Sequence, residues 1–109
     1  MTAREITDAL TKHGRVFSVN RWVAVPNVSH GWGLDYEADL IAVTRDTRYA
    51  AEVEVKVTLK DLRNDLKKRK WVVGLDQRIK RFYYAVPKEL APYAIAEMPE
   101  KFGVIECHY

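Results

Sequence analysis

Two stretches of the chain place charged side chains where strand geometry would line them up: "YEADLIAV" at 36–43 and "AAEVEVKV" at 50–57. In the second, Ala51, Val53, Val55 and Val57 alternate with Glu52, Glu54 and Lys56. An extended backbone puts the apolar set on one face and two carboxylates with an ammonium on the other. The first stretch repeats the pattern with Glu37 and Asp39. If the two form a hairpin, a connection of two residues (46–47) or four (45–48) gives the same register. Asp39 then faces Glu54 and Glu37 faces Lys56, all on one side of the sheet. Directly opposed Cβ atoms lie about 5 Å apart, and like charges at that distance are destabilising unless something positive lies between them. A hard cation such as Mg²⁺ or Mn²⁺, which takes oxygen ligands from one or two carboxylates, is the usual remedy. Lys56 would stand beside it, placed to orient a water or to offset negative charge building on a phosphoryl group.

A plainer reading competes. Antiparallel sheets often keep one solvated face, where Glu and Lys alternation is ordinary. Taken alone, "EVEVK" favours that solvated face. The recurrence of carboxylates at matching positions of the paired strand, and flanking helices that should cover the sheet, favour a site.

The elements that must position these residues are readable in outline. Thr2 with Glu5 three residues later is a capping-box pattern, followed by Ile6 and Leu10 at helical spacing and stopped by Gly14. "RVFSVNRWVAVPN" predicts a strand over 16–25, halted by Pro26, and "VSHGWG" a loop. Strands at 36–43 and 49–57 follow. Thr58 caps a helix over 59–70, in which Leu59, Leu62 and Leu66 share a face and Trp71 and Val73 extend the apolar surface. Strands at 81–87 and 102–107 flank a short, proline-interrupted helix. The order predicts an α/β fold on a mixed sheet, with a parallel crossover through the 59–70 helix.

Composition sets outer bounds. The 109 residues, 48% of them hydrophobic and 30% charged, suit one globular domain spanning 1–109. Cys107 is the sole cysteine, so no internal disulfide or cysteine-rich zinc site can form, and a reducing cytoplasm suits that usage. The opening "MTAREITDALTKHG" is charged throughout, so we expect no export signal, and no stretch suggests a membrane span. No glycine-rich phosphate loop joins a strand to a helix, and neither a serine nor the cysteine sits in a recognisable nucleophile setting.

The triplet Asp39 … Glu54-Val55-Lys56 resembles the D…(D/E)-x-K signature of the PD-(D/E)XK nuclease superfamily, and the element order is similar to its restriction-endonuclease-like αβββαβ core. More narrowly, "YEADLIAV…EVEVKVTLKDLRNDLKKRKW…RFYYAVP" resembles the MmcB-like branch, associated with bacterial DNA repair, and related small phage nucleases. The resemblance covers about residues 36–106. Ala38 stands where the nominal motif has proline. The resemblance implies that Asp39 and Glu54 bind Mg²⁺ or Mn²⁺ with the Val55 carbonyl, and that Lys56 is the catalytic lysine. Glu37 is a further acid for a metal, Glu52 an accessory one, and Glu5 an acid that the first helix would supply. Glu5 serves equally as a capping-box residue.

A basic surface fits a DNA partner. The helix 59–70 carries six basic residues against Asp61 and Asp65. Lys60, Arg63, Lys67, Lys68 and Lys70, prolonged by Arg78, Lys80 and Arg81, would contact phosphates. The competing reading is a solvated helix face, partly paired through Asp65 and Arg69. His30, in a glycine-flanked loop before the Asp39 strand, is an accessory candidate, although a lone loop histidine is more often incidental. Trp22, Trp32, Tyr83 and Tyr84 suit either the core or stacking on unpaired bases. The expectation is therefore a cytoplasmic, metal-dependent DNA endonuclease of repair, recombination or phage DNA processing, nucleoid-associated or, if phage-encoded, in the host cytoplasm. The alternative is a non-catalytic DNA-binding or interaction subunit. A homodimer or a larger nuclease complex stays open.

Overall fold

Thr2 starts the first helix by a reciprocal capping box: Glu5 N–H donates to Thr2 Oγ1 (3.1 Å) and Thr2 N–H to Glu5 Oε1 (2.9 Å). This computed structural model describes residues 1–12, 16–18, 20–29, 37–47, 49–69, 79–99 and 102–108, with backbone alone at 29, 69 and 80. Helix α1 (Ala3–Lys12) buries Ile6 and Leu10, the pair its periodicity singled out. Gly14, Trp71 and Val73 lie outside the described residues.

The first strand departs from expectation. Strand β1 is Trp22–Ser29, starting later than residue 16 and running through Pro26. Phe17 is buried in the core, and Trp22 N–H reaches back to Ser18 O (2.8 Å), so that stretch turns before the strand begins. Pro26 keeps its place opposite Leu40 because β1 lies at the sheet edge, where one side of the backbone has no ladder to serve. Asn27 follows with φ 54°, a left-handed conformation that Asn tolerates better than most residues.

Strands β2 (Glu37–Thr44) and β3 (Ala50–Val55) form the expected hairpin in the expected register, with Leu40 opposite Val53, Ile41 opposite Glu52 and Ala42 opposite Ala51. Thr44 N–H donates to Tyr49 O (2.8 Å) and Tyr49 N–H to Thr44 Oγ1 (2.8 Å), closing its loop end. Helix α2 (Leu59–Arg69) is capped by Thr58 Oγ1, which accepts the Asp61 N–H (3.2 Å). Strand β4 (Ile79–Pro87) runs parallel to β3 and includes Pro87. Helix α3 (Ala91–Glu97) then leads to β5 (Gly103–Cys107), parallel to β4.

The fold is α/β: a five-stranded mixed sheet in the order β1-β2-β3-β4-β5 with helices on both faces. On one face, Ile6, Leu10 and Phe17 pack with Leu40, Ala42, Ala51, Val53, Val55 and Ala85. On the other, Leu62 of α2 and Ala91 and Ala94 of α3 pack with Tyr84, Val86 and Phe102. Strand β4 contributes to both layers, and every residue of β3 is buried. Among the described residues no helix is long and apolar enough to cross a membrane.

Candidate functional site

The burial of β3 decides between the two readings of its charged row. Glu52 is 1% exposed and Glu54 7%. They alternate with Ala51, Val53 and Val55, which belong to the α1 layer, so both glutamates point to the side of α2 and α3. There Glu52 neighbours Ile41 and Phe82, and Glu54 neighbours Tyr84. The row is not a wet outer face. Carboxylates held this far from water need compensating groups.

Asp39 is held at the end of the β2–β3 ladder. The β2–β3 ladder stops at Leu40 opposite Val53; one step further the Val55 N–H donates to Asp39 Oδ2 (2.8 Å). A side-chain carboxylate thus replaces the next backbone acceptor, which pins it against the Glu54–Val55 peptide. Asp39 itself is half-buried. Asp39 is thereby brought beside the Glu54–Val55 peptide by a hydrogen bond that strand pairing alone does not imply.

Lys56 follows directly on β3. Its N–H donates to Ala85 O (3.1 Å), continuing the parallel ladder and fixing where the side chain starts. Its Nζ lies 3.8 Å from Glu54 Oε1 and 3.8 Å from Asp65 Oδ1 on α2. These are ion pairs rather than hydrogen bonds. The side chains of Lys56, Glu54 and Asp65 are 20%, 9% and 12% exposed, so water screens them little. Tyr84 Oη, fully buried on β4, donates a short hydrogen bond (2.6 Å) to Asp65 Oδ2. The hairpin register expected from loop length sets Glu37 across from Lys56. The structure instead leaves Glu37 exposed opposite Ser29 at the start of β2, and Lys56 turns toward α2.

Tyr84 lies in the core, one of the two fates its sequence allows, but its bond to Asp65 and the approach of Asp65 to Lys56 are not expected from a pairing of Asp65 with Arg69. A signal for Asp65 existed: three residues after Leu62 and one before Leu66, it borders the stripe that α2 turns toward the sheet.

The remaining candidates divide. Glu5 is committed to the α1 cap through its Oε1. Arg63 grips Glu97 of α3 with Nε at 2.9 Å and Nη2 at 3.0 Å. Those hydrogen bonds raise the arginine's pKa above its usual value and hold the Glu97 carboxyl below its usual range. Lys60, Lys67 and Lys68 are exposed on α2. Arg81 is exposed, and its Nε–H donates to Tyr49 Oη (3.1 Å). His30, Trp32, Lys70 and Arg78 lie outside the described residues, and so does the Lys80 side chain. Trp22 and Tyr83 stack edge-on against Phe17 and belong to the core. Among the described residues, no three His, Cys, Asp or Glu side chains converge as a metal-holding group, so Glu37 is not gathered with Asp39 and Glu54. What remains is two carboxylates and the Val55 carbonyl, all hard oxygen donors of the kind that suits Mg²⁺ or Mn²⁺.

Searches against family profiles and curated proteins return no match. Among solved structures the chain is similar to the SPO1766 protein of unknown function from Silicibacter pomeroyi, with a TM-score of 0.60 and 18% sequence identity. The similarity covers 87% of this chain and 58% of that protein, so this chain spans little more than half its length. At that identity the likeness is one of fold alone.

Proposed function

We propose that this chain is a small PD-(D/E)XK-type domain that hydrolyses phosphodiesters of DNA with Mg²⁺ or Mn²⁺. The observation that carries the reading is the hydrogen bond from Val55 N–H to Asp39 Oδ2, which sets a second carboxylate against the Glu54–Val55 peptide on a buried strand. Asp39, Glu54 and the Val55 carbonyl would hold the cation. Bound there, a divalent ion supplies Lewis-acid polarisation of the phosphate and a water of lowered pKa. Lys56, whose ammonium cannot ligate a cation, stands beside Glu54, where negative charge would build on the transferring phosphoryl group. Covered sheet faces keep these charges from being screened. Lys60, Lys67 and Lys68 offer sequence-independent contacts to phosphates.

The test is a cleavage panel of linear, nicked, branched and single-stranded DNA with Mg²⁺, with Mn²⁺ and with chelator. Cation-dependent cleavage that Glu54→Gln abolishes is the expected result. DNA binding without cleavage of any substrate would defeat this reading and return the chain to a non-catalytic DNA-binding or interaction subunit.

A further inference from the structure

We infer that Asp65 of α2 is the positioning residue for Lys56, and that Tyr84 holds Asp65 in place for that task. The inference rests on the nuclease reading for its functional meaning, but its geometry stands apart from it. Lys56 Nζ sits 3.8 Å from each of two carboxylates, Glu54 of β3 and Asp65 of α2. The two have different chemistry to perform. Glu54 is the carboxylate that a divalent cation would claim, and a carboxylate whose charge is shared with a cation holds an ammonium less well. Asp65 does not share that role, so it keeps Lys56 in the site when Glu54 is engaged.

A lysine has a flexible four-carbon stem, and a single ion pair at 3.8 Å does little to choose among its rotamers. Two carboxylates on elements fixed independently narrow that choice. The helix is fixed by Leu62, fully buried in the α2–α3 layer, and Asp65 lies one turn along from it. Tyr84 is a 0% exposed side chain whose hydroxyl meets Asp65 Oδ2 at 2.6 Å. That bond leaves Oδ1 as the oxygen nearest Lys56. A rigid ring from β4 therefore orients a helix carboxylate, which orients the lysine that follows β3.

The experiment has two arms. In the first, NMR follows the Lys56 Cε and Nζ resonances through the Cε protons, assigned with Lys56→Arg, in wild type, Asp65→Asn and Tyr84→Phe without metal. Asp65→Asn should move the Nζ shift and relaxation toward those of exposed Lys60, Lys67 and Lys68, and Tyr84→Phe part of the way. Circular dichroism confirms that each variant folds, and Tyr84→Phe, which removes one oxygen, serves if Asp65→Asn does not. Identical Lys56 resonances in wild type and variants would overturn the inference. In the second arm, Asp65→Asn should lower kcat about 10- to 100-fold, the usual range for groups that orient a site's ligands, with KM for DNA unchanged. A change in KM alone would overturn the positioning role. If the wild type cuts no DNA, the nuclease reading fails, and the resonances still decide whether Asp65 positions Lys56.

Discussion

Two cation–carboxylate clusters involve α2, and they differ in geometry, in burial and in how many carboxylates the cation meets. Arg63 and Glu97 make the better geometry, a forked pair at 2.9 and 3.0 Å, with side chains 49% and 33% exposed. Lys56 makes looser contacts, 3.8 Å to each of two carboxylates, with side chains at most 20% exposed. Distance would rank the arginine pair first. Burial reverses the ranking, because an ion pair in water gains little and is screened, whereas charges removed from water interact strongly and cannot be left uncompensated. The outer pair fastens two helices. The inner cluster holds an ammonium at a set place beside Glu54.

The largest effect should come from Lys56→Ala. If the proposed nuclease reading holds, loss of a charge that acts in the transition state should cost about 100- to 1,000-fold in the rate of DNA cleavage. On a wet strand face, removal would cost at most about 1 kcal/mol of stability. Between two largely buried carboxylates it should cost about 3 kcal/mol, the lower end for breaking a buried pair, read from urea unfolding. A variant that unfolds and cuts like wild type would erase the distinction between the two clusters.

Next come Asp39→Asn and Glu54→Gln, which should abolish Mn²⁺ binding by calorimetry with the fold intact. Asp39→Asn keeps an oxygen to accept the Val55 N–H, so its loss of affinity would report the charge rather than the hairpin. Unchanged affinity in both variants would remove the proposed metal site.

A smaller change is expected on the exposed face. Lys67→Gln combined with Lys68→Gln should weaken DNA binding equally for all sequences and flatten its salt dependence by about one unit of slope per lost phosphate contact. An identical slope would make that face a solvated surface only.

Smallest is Glu97→Gln. The Glu97 carboxyl titrates below its usual range because Arg63 hydrogen-bonds its charged form. Its contribution to stability is therefore present above the unfolded-state pKa and is lost as pH falls through the lowered folded-state value. Thermal melts of wild type and variant should differ slightly at neutral pH and converge in acid. A gap that widens in acid would contradict the assignment of this pair as an exposed, separable clamp.

Much of this arrangement is legible in local sequence, for a physical reason. The capping box, the hairpin register and the helix after Thr58 depend on residues within a few positions of one another, where hydrogen-bond geometry and side-chain period leave few choices. Alternation along 50–57 separates the apolar row from the charged one before any packing is known. Taking Pro26 as a stop ends the first strand too early, and only the sheet order reveals that β1 is an edge strand able to carry it.

The partners of Lys56 were decided elsewhere. Nothing between residues 50 and 57 says which neighbour its ammonium will choose, since the stem is long and Glu37 was available by register. The choice of Asp65 follows from α2 packing Leu62 onto the β4 side of the sheet, which brings a carboxylate and the Tyr84 hydroxyl over the end of β3. Likewise the sequence specifies that Glu52 and Glu54 share a face, but that face becomes dry only when α2 and α3 pack over it. Periodicity is a property of the local backbone. Burial, and with it the strength of every charge in the site, belongs to the assembled fold.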